Sequence, residues 1–343
     1  MTRVGAGLLE AIQPVWAVEG GRVTIRGADF PLHEDRLPEV RIGDEPARIV
    51  YASRSSLGIQ VPSGLGGRLP VRVEGLPGET ALLDVGLQIA TGLHQVDSPV
   101  FDRAGNLYLT FSGSRGEQVP TSIFKVGPGA AREAFVSGVV NPTSLAVSPD
   151  GYLYVSSRFE GTIYRVRSDG TIEPIATELG VPCGLAFDSA GTLYVGDRSG
   201  TIFRVTRTGH TDTFASLPPS VAAFHLAMGP GGYLHVAAPT LAPRDHIYRI
   251  SPDGDVEITY SGFGRPQGLA FDAQGSLYVV DALAGNSGLY KLRPDAHGSV
   301  ADLVLAASSL IGLAFDPHGG LVVTSADTAY RLGVNVRPAP FFP

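Results

Sequence analysis

The sequence predicts an all-β fold, and three observations lead to this prediction. Glycine and proline, the residues least suited to helix interiors, fill about a fifth of the 343 positions, yet 43 % of the chain is hydrophobic. From residue 97 onward, a strand-rich pattern recurs at intervals of 40 to 46 residues. The first eighty residues lack this pattern and alternate in the manner of short strands. Together these features predict a small immunoglobulin-like sandwich followed by a six-bladed β-propeller that is closed by an N-terminal strand.

Composition and charge exclude several classes of function. The net charge is −7 and no basic stripe is present, which excludes nucleic acid as a partner. A single cysteine, Cys183, excludes an intrachain disulfide framework. The chain has no apolar run of membrane-spanning length, so we expect no transmembrane segment. Glu10 and Gln13 interrupt the opening segment, so no signal peptide is visible. We therefore expect a cytoplasmic protein as the sequence is written, and an exported one if a leader was removed.

Residues 1–80 form the first predicted domain. Its strand-like segments are VTIRGADF at 23–30, VRIGDEPARIV at 40–50 and IQVPSGLGG at 59–67, separated by turns such as Gly20-Gly21. This segment resembles an IPT/TIG domain, an immunoglobulin-like module of surface receptors and of bacterial proteins that act on polysaccharides. The resemblance implies an accessory spacer or contact module without chemistry of its own. The only tryptophan, Trp16, is expected in its core or at an interface.

Residues 81–343 form the second predicted domain, in which each repeat supplies four short strands. The clearest copies are GLAFDSAGTLYVGDRSGTIFRV at 184–205 and GLAFDAQGSLYVVDALAGNSGLYKL at 268–292. A repeat of this length with four strands is typical of a propeller blade. The last copy lacks a fourth strand, which would leave an unpaired edge. Segment 81–95 has strand character, so we predict that it supplies this outer strand and closes the ring.

The repeat resembles two families of propellers. Segments 182–197 and 266–281 resemble the NHL repeat, whose propellers mostly bind partners. The ring as a whole resembles the senescence-marker/gluconolactonase family of six-bladed, calcium-dependent hydrolases of lactones and esters. The second resemblance implies a metal site built from a Glu, two Asn and an Asp, where the innermost strands begin beside the central channel.

Aligning the six copies places one residue of each blade at the opening of the channel, which we call the mouth. These residues are Asp97, Thr143, Cys183, Phe224, Gln267 and Ile311. Calcium takes six to eight oxygen ligands. Only Asp97 is acidic among the six, while Thr143 and Gln267 offer neutral oxygens, so these three are the candidate ligands of Ca²⁺ or another divalent cation. Asn141 stands two residues before the aligned position. The sequence requires no cofactor.

Two further sets of residues carry functional hypotheses. Asp97, Cys183 and His225, which follows Phe224, are the candidate catalytic residues, with a Cys–His nucleophilic pair as one option. The connections at 112–120 and 238–246 are longer than their counterparts in other blades, and loops on a rigid scaffold commonly carry binding function. We expect partner contacts at Arg115, Glu117, Arg244 and Asp245.

These observations support two functions from different classes. The first is a binding propeller that holds a carbohydrate or a protein partner, with the IPT/TIG module as an accessory. The alternative is a lactonase-like hydrolase, related to gluconolactonases, with a degenerate divalent-metal site in the channel. If the chain is an enzyme, a lactone or ester hydrolase is expected first, and a lyase or isomerase on the same scaffold is a third option.

Overall fold

The computed structural model describes residues 8–33, 36–76, 78, 80–283, 287–295 and 298–339. In this part of the chain the regular structure is β-strand, apart from a 3₁₀ turn at Pro230–Gly232. The predicted all-β fold, with an immunoglobulin-like domain and a β-propeller, is confirmed. Among the described residues, no helix is long and apolar enough to cross a membrane.

The N-terminal sandwich is built from eight strands in the order β1-β3-β6-β5-β4-β7-β8-β2. In β3, Val23 and Ile25 are buried and alternate with more exposed residues, because successive side chains of a strand point to opposite faces. They pack against Leu57, Ile59 and Leu83 in one apolar core. The strands are β1 (Leu8–Gln13), β2 (Trp16–Ala17), β3 (Arg22–Ala28), β4 (Val40–Ile42), β5 (Glu45–Ser53), β6 (Ser56–Gln60), β7 (Gly67–Val73) and β8 (Ala81–Val85).

Blades one to four are separate four-stranded sheets, each antiparallel and each built from consecutive strands. Asp-x-x-Gly turns join the first two strands of blades one and three, as the repeat predicts. The strands are β10 (Val100–Phe101), β11 (Leu107–Thr110), β12 (Ile123–Val126) and β13 (Arg132–Val136); β14 (Pro142–Val147), β15 (Leu153–Ser157), β16 (Thr162–Val166) and β17 (Ile172–Ala176); β18 (Pro182–Phe187), β19 (Leu193–Asp197), β20 (Thr201–Val205) and β21 (Thr211–Ser216); and β22 (His225–Met228), β23 (Leu234–Ala237), β24 (Asp245–Ile250) and β25 (Val256–Phe263).

The fifth set of four strands continues into the sandwich and forms one twelve-stranded sheet with it. The short strand β2 joins the two, because Trp16 pairs in parallel with Leu305 on one side and with Asp84 on the other. Trp16 therefore lies at the interface between sandwich and propeller, one of its two expected positions. The strands of this blade are β26 (Pro266–Phe271), β27 (Leu277–Asp281), β28 (Gly288–Asp295) and β29 (Gly298–Ala306).

The last blade is completed by a strand from before the first blade. Its strands are β30 (Gly312–Phe315), β31 (Leu321–Thr324), β32 (Ala329–Leu332) and β9 (Leu87–Ala90), and Gln88 pairs with Tyr330. The predicted closure by an N-terminal strand is confirmed. Segment 81–95 does not act as one strand, however. Ala81–Val85 belongs to the sandwich, where it pairs with β7 and buries Leu83 in the sandwich core. Only the strand after Gly86 closes the ring.

Candidate functional site

The mouth residues lie on the face of the ring where the innermost strands begin, which we call the top face. Since consecutive strands of a blade are antiparallel, the connections between second and third strands lie on this face too. The two long connections, at 112–120 and 238–246, therefore lie on the same face as the mouth. This arrangement gives the top face both the polar mouth residues and these two loops.

Three polar side chains from different blades meet in the mouth. His225 Nε2 lies 3.3 Å from Asp97 Oδ1 and 3.2 Å from Gln267 Oε1. All three residues are buried, with His225 only 3 % exposed. Both neighbouring oxygens are hydrogen-bond acceptors, so the arrangement fits the tautomer of His225 that carries its proton on Nε2. We call Asp97, His225 and Gln267 the polar triad.

Glycines in the innermost strands let neighbouring blades approach each other closely. A Cβ on Gly184 would lie 2.6 Å from the Phe224 carbonyl oxygen, and one on Gly268 would lie 2.9 Å from the Ile311 carbonyl oxygen. Both contacts are shorter than side-chain carbons make. The Gly-Leu-Ala sequence of the repeat is therefore a packing requirement at the channel axis.

Below the triad, a ring of apolar residues divides the channel. Each lies two positions after the aligned mouth residue of its blade: Pro99, Leu145, Leu185, Leu226, Leu269 and Leu313. Above the ring is a cavity of about 80 Å³ that Asp97 and His225 line, room for two or three water molecules. Below it, a cavity of about 260 Å³ with mainly apolar walls, including Phe101, Phe187 and Phe315, lies toward the opposite face. The polar triad lies on the top side of this ring, and Asp188 and Ser189 are the polar residues that line the cavity on the other side.

The polar triad does not fit a calcium ion. Calcium is a hard cation that takes six to eight oxygens, and Asp97 is the only carboxylate of the triad. The hydroxyl of Thr143 donates to the Asn141 carbonyl at 3.2 Å, and the amide oxygen of Gln267 faces an imidazole nitrogen. Across the described residues, no group of three or more His, Cys, Asp or Glu side chains could hold a metal ion.

The mouth residues Phe224 and Ile311 have different surroundings. Phe224 is fully buried in the apolar core between blades three and four, and its neighbour His225 takes the place facing the channel. The reason is that the innermost strand of blade four starts only at His225 and pairs without the irregularity seen in blades two, three and five. Ile311 is half-buried and provides no polar atom.

Cys183 is buried and its thiol donates to the Val181 carbonyl at 3.2 Å. Burial, and next the charge of Asp97, raise the pKa of this thiol to about 12. A cysteine acts as a nucleophile through its thiolate, and activated cysteines have lowered pKa values. The thiol of Cys183 is protonated at neutral pH, so the structure argues against the nucleophilic Cys–His pair.

Asn141 is a structural residue that the sequence did not reveal. It is fully buried, and its left-handed backbone (φ +49°) is one that asparagine tolerates. Its amide nitrogen donates to the carbonyls of Ser112 and Ser114 at 2.6 and 2.7 Å, and its oxygen accepts from the Gly116 N–H at 2.7 Å. Asn141 thereby fastens the long loop of blade one to blade two. The only signal in the sequence was that blade two has an asparagine at this aligned position, where blade three has Val181 and blade five has Arg265.

The four predicted loop contacts divide into three exposed residues and one buried residue. Arg115, Glu117 and Arg244 are exposed on the top face. Glu117 accepts a hydrogen bond from the Ser114 N–H, which lowers the pKa of its carboxyl. A partner contact was also expected at Asp245, but the structure buries this residue, which is 2 % exposed. Its carboxylate turns inward because it caps its own loop, accepting from the Thr240 N–H at 3.0 Å and the Thr240 hydroxyl at 2.7 Å.

Exposed apolar side chains lie in several connections of the top face. Leu241, in the long loop of blade four, is 90 % exposed, and Phe159, beside the long loop of blade one, is 53 % exposed. Val221 and Leu283 are also exposed on this face. We call these four residues the apolar rim. A polar base with an apolar rim is typical of sites for small organic ligands.

Comparison with known proteins identifies the first domain and the overall architecture. Residues 8–79, about a fifth of the chain, match the IPT/TIG domain. No sequence relative is found among the curated proteins.

Several solved structures share the fold at low sequence identity. An auxiliary nutrient binding protein from Bacteroides ovatus has a TM-score of 0.56 and 14 % identity, over 96 % of this chain and 98 % of that one. A protein assigned as a gluconolactonase has a TM-score of 0.60 and 19 % identity, over 74 % of this chain and 93 % of that one. A catalytically inactive virginiamycin B lyase from Staphylococcus aureus, solved with quinupristin, has a TM-score of 0.52 and 14 % identity, over 73 % of this chain and 98 % of that one. At this identity the likeness concerns the fold.

Proposed function

We propose that this chain is a binding protein that captures a small carbohydrate at the mouth of the propeller. The observation that carries the proposal is the polar triad, in which Asp97, His225 and Gln267 converge from three blades at the base of the mouth. In this proposal the IPT/TIG domain is an accessory module that holds the propeller in a fixed orientation through strand β2.

The triad suits hydroxyl groups because it offers both kinds of hydrogen-bonding atom. Asp97 presents a second carboxylate oxygen, which accepts, and the amide of Gln267 presents two N–H groups, which donate. A sugar hydroxyl donates one hydrogen bond and accepts others, so neighbouring hydroxyls can satisfy both side chains. The apolar rim, with the exposed ring of Phe159, offers a surface on which the C–H face of a sugar can pack.

The extent of structural similarity does not separate binding from catalysis, because a structure assigned as a phosphatase from Bacteroides thetaiotaomicron also covers 95 % of this chain. The nutrient binding protein resembles this chain over both domains, whereas the gluconolactonase and the lyase correspond to about three quarters of it. The shared architecture of sandwich and propeller therefore accompanies a binding function in that protein.

Hydrolysis or elimination is the second candidate function, and one observation favours it. The imidazole of His225 and the carboxylate of Asp97, 3.3 Å apart, resemble an acid–base pair. In this alternative the two side chains exchange a proton with a bound lactone or ester, and no metal takes part because the donor set does not fit one. Turnover of a lactone and ester panel, lost in Asp97→Asn and in His225→Gln, would favour the enzyme over the binding protein.

The proposed function is tested by binding measurements on the full chain. Isothermal titration calorimetry with a panel of neutral and acidic mono- and oligosaccharides should find a ligand, and Gln267→Leu should weaken its binding about tenfold, the effect of losing one or two buried hydrogen bonds. Gln274→Leu, which changes a glutamine in an innermost turn on the opposite face, is the matched control and should leave binding unchanged. If no saccharide binds, the proposal is wrong.

A further inference from the structure

Two arginines occupy equivalent positions on neighbouring blades of the top face. Arg158 directly follows β15 of blade two, and Arg198 directly follows β19 of blade three. The other blades carry uncharged residues at this position: Ser112, Pro239, Ala282 and Ala326. Positive charge at this level of the ring is therefore concentrated on two adjacent blades, in a chain whose net charge is −7.

Both guanidinium groups extend toward the strands that carry the polar triad. Arg158 Nη2 donates to Gln95 Oε1 at 2.6 Å and to Ser112 Oγ at 3.2 Å, and Gln95 lies two residues before Asp97. Arg198 Nη2 donates to the Val221 carbonyl at 3.2 Å, four residues before His225. Arg158 thus reaches blade one, Arg198 reaches the connection before blade four, and both lie close enough to act on the buried thiol of Cys183. The positive charges of both arginines lower the pKa of this thiol, while the larger effect of burial raises it.

The charges of these arginines are not neutralised by the part of the protein that the structure describes. Their hydrogen-bond partners are neutral oxygens, and no described carboxylate lies within ion-pair distance of either. Asp197, next to Arg198 in the chain, instead accepts from the Val181 N–H at 2.7 Å and from Ser199. Each guanidinium has five N–H groups, so most of its donors are still available to a ligand.

We propose that the ligand of the mouth is an acidic sugar, whose carboxylates are bound by Arg158 on one side and by Arg198 on the other while its hydroxyls reach the polar triad. This inference rests on the proposed function and narrows its substrate class to oligomers of uronic acids. The planar guanidinium matches a carboxylate through two parallel hydrogen bonds. Asp97 repels a carboxylate at the centre of the mouth, so it directs the acid groups of the ligand to the two arginines.

Calorimetry on the full chain tests the inference directly. The probes are trisaccharides of galacturonate, glucuronate and alginate, neutral hexose trisaccharides, and inorganic phosphate. We expect an oligouronate to bind at least about tenfold more tightly than its neutral counterpart, and Arg158→Gln and Arg198→Gln each to weaken it about tenfold. The matched control is Arg103→Gln on the opposite face, an exposed arginine that also donates through Nη2 to a backbone carbonyl, that of Pro149. This control should change affinity less than about twofold.

Each result other than the expected one overturns a defined part of the reasoning. Neutral trisaccharides that bind as tightly as uronates, or arginine variants with unchanged affinity, would overturn the acidic-sugar assignment and leave carbohydrate capture standing. Binding of phosphate without uronate would overturn the sugar assignment and retain an anion site. Absence of binding by every saccharide would overturn the proposed function as well. Thermal melting within about 2 °C of the parent chain ensures that the variants are folded.

Discussion

Replacing Asn141 with glycine should free the long loop of blade one from blade two. The substitution removes three buried hydrogen bonds, to the Ser112 and Ser114 carbonyls and from the Gly116 N–H. At about 1 kcal/mol for each bond, the free energy of unfolding should fall by about 3 kcal/mol. Glycine adopts the left-handed backbone of residue 141 without strain, so this loss reports the side chain and the greater freedom of glycine in the unfolded chain.

Alanine at the same position adds a backbone penalty. Because φ is +49° at residue 141, Asn141→Ala should cost about 1–2 kcal/mol more than Asn141→Gly. Urea unfolding followed by circular dichroism measures both losses. Asn335 is the matched control, since it is exposed and has a similar φ of +53°. Asn335→Ala should show the backbone penalty alone, and Asn335→Gly almost none.

The loop itself provides a second measurement. In Asn141→Gly, limited proteolysis should cleave within 112–120 faster than in the parent chain, because the anchors of the loop to blade two are gone. An Asn141→Gly variant that lies within about 1 kcal/mol of the parent and is cleaved at the same rate would refute the role assigned to this side chain.

Three further predictions follow from burial in the blades. Burial lowers the pKa of His235 to about 4, below its ordinary value near 6.5. As the pH falls, the unfolded chain therefore takes up the proton before the folded chain does. The free energy of unfolding should fall by up to about 3 kcal/mol between pH 6.5 and 4. Chemical denaturation at several pH values should show a shallower fall in His235→Gln; equal slopes would contradict the assignment. At pH 8, the reaction of Cys183 with a disulfide reagent should be slower in the native state than in urea by a factor of more than about 100. Fast labelling of the native protein would show that the thiol is not buried and protonated. Ala90→Asp buries a charge in the closing strand and should lower the free energy of unfolding by about 3 kcal/mol or more. Gln88 is exposed in the same strand, so Gln88→Asp should change this free energy little. Equal effects of the two substitutions on urea unfolding would argue against closure by this strand.

Most of the fold could be predicted from the sequence because each blade repeats the same local rules. The Asp-x-x-Gly turns and the apolar strands that flank them depend on contacts between residues close in sequence. Because the same pattern occurs in every copy, each copy supports the prediction made for the others. The missing outer strand was also predictable, since an unpaired edge must be covered. The split of 81–95 at Gly86 was not, because the sandwich and the last blade both offer an unpaired edge to this segment.

The candidate site was only partly predictable. Alignment of the repeats found Asp97 and Gln267, whose positions the ring symmetry dictates. It assigned Phe224 to the channel in place of His225, because blade four starts its innermost strand two residues later than blades two, three and five do. The inward turn of Asp245 depends on a contact with Thr240 in its own irregular loop, for which the other blades offer no template.

A crystal structure of the chain soaked with the tightest-binding saccharide tests the central claim most directly. The account predicts density for the sugar on the top face. The hydroxyls of the sugar should lie within hydrogen-bonding distance of Asp97 and Gln267, and its acid groups should lie beside Arg158 and Arg198. Sugar bound instead to the sandwich, or in the apolar cavity on the opposite side of the leucine ring, would contradict it.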